Sequence, residues 1–139
     1  MLSRDRIEHL LPHSGSMFLL DEVVDWDSGK IECRSRSHGA ANHPLAYDGR
    51  VGVACGMEYC LQAMALHGAL MASAPQPPGF LARIAEARFS VAYLDELGAQ
   101  LSVHANLIQS LPRGLSYSFA LYGGGRLAIE GRATVALMS

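Results

Sequence analysis

Glu58 is the only formally charged side chain between Val51 and Ala74, in a run of small, apolar and neutral polar residues. An ionised carboxylate cannot enter such surroundings alone. It must gain partners or take up a proton. Either response yields a group suited to acid–base chemistry near neutral pH. The plainer reading is a partly exposed Glu on an amphipathic helix. Gln62 lies one helical turn further on, so the two side chains share a face.

Acid–base work on a small molecule needs a second group. Six histidines are available for that role. His38 is equally readable as an ordinary strand-end residue. His13 is expected to hold its loop by hydrogen bonds. His9, His67 and His104 read as structural or surface groups. Cys55 precedes Glu58 by about a turn, but no histidine accompanies it in sequence, so a thiolate nucleophile is not expected. The spacing of Cys33, Cys55 and Cys60 matches neither a zinc site nor a C-x-x-C motif. No metal and no cofactor enters this reading.

The elements around these residues can be read from periodicity and breakers. Asp5 to Leu11 suits a short helix stopped by Pro12. Met17 to Trp26 and Lys30 to His38 read as strands joined by a turn at Asp27-Ser28-Gly29. Gly39 to Arg50 reads as a loop, with a turn at Asp48-Gly49. A long helix is expected from about Val51 to Ser73, ended by Pro75-Gln76-Pro77-Pro78-Gly79. Phe80 to Tyr93 then reads as a strand, followed by a turn over Asp95 to Gly98. Alternation places further strands at Leu101 to Ile108, Leu115 to Leu121 and Leu127 to Leu137. Hairpin-length connections favour antiparallel pairing. One sheet and one long apolar helix can bury both only if the sheet curls round the helix, which predicts a single α+β domain over 1–139.

Composition narrows the function classes. The chain has 139 residues, 50% hydrophobic and 17% charged, with a formal net charge of −2. That describes a core-rich domain rather than a disordered chain, with no basic patch for nucleic acid. The run from Val51 to Ala74 is long enough to consider as a membrane span, but Glu58, Gln62, His67 and several glycines favour a helix buried in its own protein. The polar start, Met1 to Arg6, is not that of a signal peptide, and the odd cysteine count suggests reduced thiols, so a cytoplasmic location is expected.

The motifs carry a resemblance. Leu11-Pro12-His13-Ser14-Gly15-Ser16-Met17-Phe18-Leu19-Leu20-Asp21-Glu22-Val23 resembles the opening of the β-hydroxyacyl-ACP dehydratases of fatty acid synthesis. Asn42-His43-Pro44-Leu45 resembles the N-E-P-F that precedes their catalytic loop. Glu58-Tyr59-Cys60-Leu61-Gln62-Ala63 resembles their E-A-M-A-Q-A helix. Gly56 to Ala65 is closer still to the short dehydratase-like proteins of aryl polyene pathways. The G-H-F-P segment that carries the dehydratase histidine is missing, replaced by Ala46-Tyr47-Asp48-Gly49-Arg50-Val51.

The resemblance implies a hotdog fold and a 3-hydroxyacyl thioester dehydratase, carried by acyl carrier protein or CoA. Glu58 would be the catalytic carboxyl, oriented by Gln62, with His38 or His43 as base. The histidine typically comes from the second subunit of a dimer. Gly56 and Met57, near the helix start with Cys55, would serve the thioester oxygen through backbone N–H groups. Tyr47 and Arg50 would border the substrate mouth, Arg50 meeting a pantetheine phosphate. Arg83, Arg88 and Arg113 read either as a basic rim for an acidic carrier or as a solvated surface. A thioesterase on the same fold, and a non-catalytic partner subunit in a heterodimer, are the alternatives.

Overall fold

The computed structural model describes residues 1–12, 15–75 and 81–136, with Leu81 seen through its backbone alone. His13 therefore lies outside the described residues, as do Gln76 to Gly79 of the expected linker and Phe80 at the start of the expected strand. The elements run β1 (Leu2–Ser3), α1 (Arg4–Ile7), β2 (Glu22–Asp27), β3 (Lys30–Ser35), α2 (Gly56–Ala72), β4 (Leu81–Phe89), β5 (Leu101–Leu111), β6 (Gly114–Gly123) and β7 (Arg126–Ala136). Among the described residues the strands form one sheet of order β1-β2-β3-β5-β6-β7-β4, with every neighbouring pair antiparallel. This is the mixed α+β hotdog architecture: a long central helix against an antiparallel sheet.

Alternation fixes which face of the sheet meets α2. Leu101, Val103 and Ala105 of β5, and Leu115, Tyr117, Phe119 and Leu121 of β6, are buried. α2 packs on β3, β5, β6 and β7, and its residues are buried on nearly every side. That explains why its sequence lacks a clear apolar stripe. Among the described residues, no helix is long and apolar enough to cross a membrane. The helix closes at Ser73, which is left-handed at φ 54°, before Pro75 is reached.

α1 stops at Ile7 rather than Leu11, β4 at Phe89 rather than Tyr93, and β5 runs past Ile108 to Leu111; three further boundaries differ from the sequence reading, each for a local reason. Strand character expected from Met17 begins only at Glu22. Phe18, Leu19 and Leu20 are fully buried, but the Leu19 peptide bonds to side chains instead of a neighbouring strand. β3 ends at Ser35, not His38. The Ser35 hydroxyl accepts the Ser37 N–H at 3.1 Å, turning the chain into a 3-10 turn over Ser37–Gly39. α2 begins at Gly56 after a 3-10 turn over Val53–Cys55, because Val51 and Gly52 are held by the 93–94 segment.

β4 lies at the free end of the sheet and is mostly exposed, with Ile84 and Phe89 open to solvent. A long edge of unpaired backbone groups beside exposed apolar side chains is a pairing surface.

Candidate functional site

The first half of the site is built on α2. Gln62 is fully buried, so each of its polar atoms needs a partner. Its Oε1 accepts the Leu19 N–H at 2.9 Å. Its Nε2 donates to the Met17 carbonyl at 2.9 Å and to Glu58 Oε1 at 3.1 Å. The amide is thus fixed from three sides and presents one N–H to the carboxyl. Glu58 itself is half-buried, and its carboxyl is held by the Gln62 amide.

The second half hangs on Tyr59, the next residue of α2. Tyr59 is fully buried, and its Oη lies 2.8 Å from His43 Nε2 and 2.7 Å from Ser37 Oγ. The Leu45 N–H donates to His43 Nδ1 at 3.0 Å. An acceptor at Nδ1 is unprotonated, so in the neutral ring the hydrogen sits on Nε2 and points at Tyr59. Tyr59 then donates to Ser37, and Ser37 donates to the Leu19 carbonyl at 2.8 Å. Burial, and after it the nearby His38, holds the His43 pKa below its ordinary value. Burial pushes the Tyr59 hydroxyl up to about 12, against the lowering effect of its bond to Ser37.

Leu19 joins the two halves. Gln62 holds its N–H, and Ser35 and Ser37 hold its C=O.

His38 is placed differently from His43. Its Nε2 donates to the Gly98 carbonyl at 2.6 Å, which leaves Nδ1 with a lone pair. Among the described residues, that Nδ1 is the one buried side-chain nitrogen or oxygen without a hydrogen-bond partner. Gly98 supplies this carbonyl from a backbone at φ 82°, a conformation that favours glycine.

Tyr47, Asp48, Gly49 and Arg50 form a two-residue turn, with Asp48 and Gly49 both at positive φ and Tyr47 and Arg50 exchanging backbone hydrogen bonds at 2.8 and 3.1 Å. The turn, with Tyr47, Asp48 and Arg50, forms one side of a groove of about 370 Å³ that is also lined by Leu45, Gly52, Cys55 and Tyr93. Arg50 does not stand as a lone cation. Its guanidinium lies 2.9 Å from Asp95 Oδ2 and 3.6 Å over the Tyr93 ring.

At the helix start two backbone N–H groups already have partners within the chain. The Cys55 N–H donates to the Gly52 carbonyl at 3.0 Å, and the Gly56 N–H to Val53 and Ala54. Gly56 is a glycine for packing: a Cβ there would lie 2.6 Å from Ile129 Cδ1. Met57 is buried in the core cluster. His67 is buried, with Nε2 2.7 Å from the Asp27 carbonyl and Nδ1 2.7 Å from Tyr117 Oη, a structural strut between α2 and the sheet.

The structure therefore brings Glu58 to Gln62, His38 near His43, and Tyr47 and Arg50 to one groove. Tyr59, Ser35, Ser37 and Gly98 were not singled out from sequence. A tyrosine in an apolar helix is the one signal available, since a buried phenol needs a partner.

A family model described as ApeP dehydratase matches residues 5–137. No curated protein matches the sequence. Among solved structures, a chain of the dehydratase heterocomplex ApeI:P from Xenorhabdus doucetiae is 19% identical with a TM-score of 0.76, covering 96% of this chain and 91% of that one. An uncharacterised protein from Pyrococcus horikoshii is 16% identical at TM-score 0.62, covering 87% and 85%. A hypothetical thioesterase from Streptococcus pneumoniae, solved with coenzyme A, is 14% identical at TM-score 0.59, covering 85% of each chain. At these identities the solved structures speak for the fold.

Proposed function

The chain belongs to the ApeP dehydratase family, a hotdog-fold, carbon–oxygen lyase setting, and on that premise we propose that Glu58 and His38 eliminate water from a 3-hydroxyacyl thioester. The observation that carries this reading is the Glu58 carboxyl, half-open to solvent and held by a fully buried Gln62 that has three hydrogen bonds of its own. Such a carboxyl is oriented before substrate arrives.

The reaction needs a base at C2 and an acid at the C3 hydroxyl. We assign His38 Nδ1 as the base: it is buried in the single chain, it has no hydrogen-bond partner among the described residues, and the Gly98 carbonyl fixes the tautomer of the neutral ring. It takes the C2 proton. Glu58, in its protonated form, gives its proton to the departing C3 hydroxyl, and the products are a 2-enoyl thioester and water. His43 does not fill the base role, since both ring nitrogens are engaged. A second hotdog subunit pairing along β4 would complete the site, as the family resemblance implies, and acyl carrier protein or CoA would carry the thioester. The pantetheine phosphate is not assigned to Arg50, whose charge is offset by Asp95.

A second reading is a non-catalytic partner subunit. Its support is that the solved relative is a chain of a dehydratase heterocomplex. Both are tested by incubating the chain, alone and mixed with a complete hotdog dehydratase, with 3-hydroxyacyl and saturated acyl thioesters. Enoyl product that disappears in Glu58→Gln and in His38→Ala supports the catalytic reading. Turnover by the mixture that Glu58→Gln leaves unchanged supports the partner reading, and free thiol from the saturated substrate would point to a thioesterase.

A further inference from the structure

The groove at the start of α2 has a wall whose position is set by side chains, not by regular structure. Leu45 lies in a loop. Its N–H is held by His43 Nδ1 at 3.0 Å, and its carbonyl accepts from Cys55 Sγ at 3.7 Å. Its side chain packs against the core cluster and lines the groove. The histidine that holds it is itself anchored through Tyr59 and Ser37 to the Leu19 carbonyl. His43 and Tyr59 also stack, with ring centroids 6.1 Å apart and planes at 22°. One line of hydrogen bonds thus runs from the core to the groove wall.

We infer that His43 is a positioning residue, which with Tyr59 fixes Leu45 and so sets how the groove grips the acyl chain of the thioester. The inference rests on the dehydratase reading for its substrate. The acyl chain is the occupant because Leu45, Tyr47, Cys55 and Tyr93 wall the groove, while among the described residues its cation, Arg50, is already paired with Asp95 and its carboxylate, Asp48, would repel a phosphate. The pantetheine arm, with its amides and terminal phosphate, would leave polar groups without partners there.

The geometry suggests a conservative replacement. Asn at position 43 puts a side-chain oxygen near the place of Nδ1 and can accept the Leu45 N–H as an Asx turn does. It cannot act as a base, and it is too short to reach Tyr59. His43→Ala removes both contacts. Tyr59→Phe removes only the anchor.

The experiment has two arms. In the first, the full chain is labelled with ¹⁵N and the His43 ring is observed at neutral pH. A neutral ring with its hydrogen on Nε2, protected from exchange in the native chain and unprotected in Tyr59→Phe, is expected. A hydrogen on Nδ1, or protection unaltered by Tyr59→Phe, overturns the relay. In the second, turnover is measured on 3-hydroxyacyl thioesters of increasing acyl bulk. His43→Ala is expected to raise KM about tenfold on the bulkiest substrates with kcat nearly unchanged, and His43→Asn to recover a large part of that loss, as one hydrogen bond implies. A collapse of kcat in both variants makes His43 the base and overturns the inference, and a KM change equal for all acyl groups overturns the groove's occupant. If native protein turns over no thioester, alone or with a hotdog partner, the dehydratase reading fails while the first arm still decides the relay.

Discussion

Gln62→Glu places an oxygen where the amide nitrogen now donates to two oxygens, Met17 O at 2.9 Å and Glu58 Oε1 at 3.1 Å. The shape is unchanged, and the bond from the Leu19 N–H is kept. If the new carboxyl is protonated, it retains one donor, and the cost is one hydrogen bond, about 1 kcal/mol. If it is ionised beside an ionised Glu58, two charges about 3 Å apart repel by about 5 kcal/mol at an effective dielectric constant of about 20. The folded variant therefore keeps a proton that the unfolded chain releases at an ordinary carboxyl pKa of about 4.3.

The sign follows from proton counts. Above pH ~4.3 the unfolded variant binds fewer protons than the folded one, so stability falls as pH rises through the raised folded pKa. At about 1.4 kcal/mol per pH unit, and capped by the repulsion above, the variant loses roughly 3–4 kcal/mol more at pH 8 than at pH 5. Urea unfolding of native and variant proteins at pH 5, 6.5 and 8 reads this directly. Gln62→Met is the control: it strands the buried Leu19 N–H at about 1–3 kcal/mol, with little dependence on pH. An equal loss for Gln62→Glu at all three values would refute the placement of Gln62 between Glu58 and Met17.

The other predictions concern packing, acid stability and assembly. Gly131→Ala would set a Cβ against the Glu86 carbonyl oxygen in the adjacent strand; since backbone cannot yield cheaply, the β4–β7 pairing is lost, read as insoluble protein or a steep fall in Tm. Gly56→Ala meets only flexible side-chain ends, at 2.6 Å from Ile129 Cδ1 and 3.3 Å from Leu94 Cδ2, so a net loss of about 1 kcal/mol is expected in urea unfolding after the gain in helix propensity. Burial holds His67 and His43 below their ordinary pKa of 6.5; the unfolded chain binds protons first, so stability falls as pH drops from about 6.5 through the lowered values, and His67→Gln flattens that part of the Tm–pH curve. Ile84→Lys, on the exposed edge strand, is expected to shift sedimentation toward monomer without unfolding the chain.

The readable parts of this molecule are those whose physics is local. Period-2 alternation located β5, β6 and β7, and the Asp48-Gly49 pair marked its turn, because pleat and turn are set by neighbouring residues. The proximity of Glu58 and Gln62 follows from one helical turn. The Phe18-Leu19-Leu20 segment reads as strand because three apolar residues look alike whether their backbone pairs with a strand or with side chains. The choice between them belongs to Gln62, Ser35 and Ser37, which lie 16 to 43 residues away in sequence. Tyr59 stands out as a phenol in an apolar helix, but its partners His43 and Ser37 are hidden for the same reason, since they come from a loop and a 3-10 turn that no periodicity describes.

That failure has a physical consequence for the site. Leu19 carries no functional group, yet its N–H orients the amide that holds Glu58, and its C=O ends the line that holds His43 and Leu45. The backbone of a single buried residue thus connects the acid of the proposed reaction to the wall of its groove. Buried peptide groups tolerate little displacement, because an unpaired N–H or C=O costs about 1–3 kcal/mol. A shift large enough to free Glu58 from Gln62 would therefore also loosen the groove, so the two halves of the site are held in one register by a residue that sequence marks only as hydrophobic.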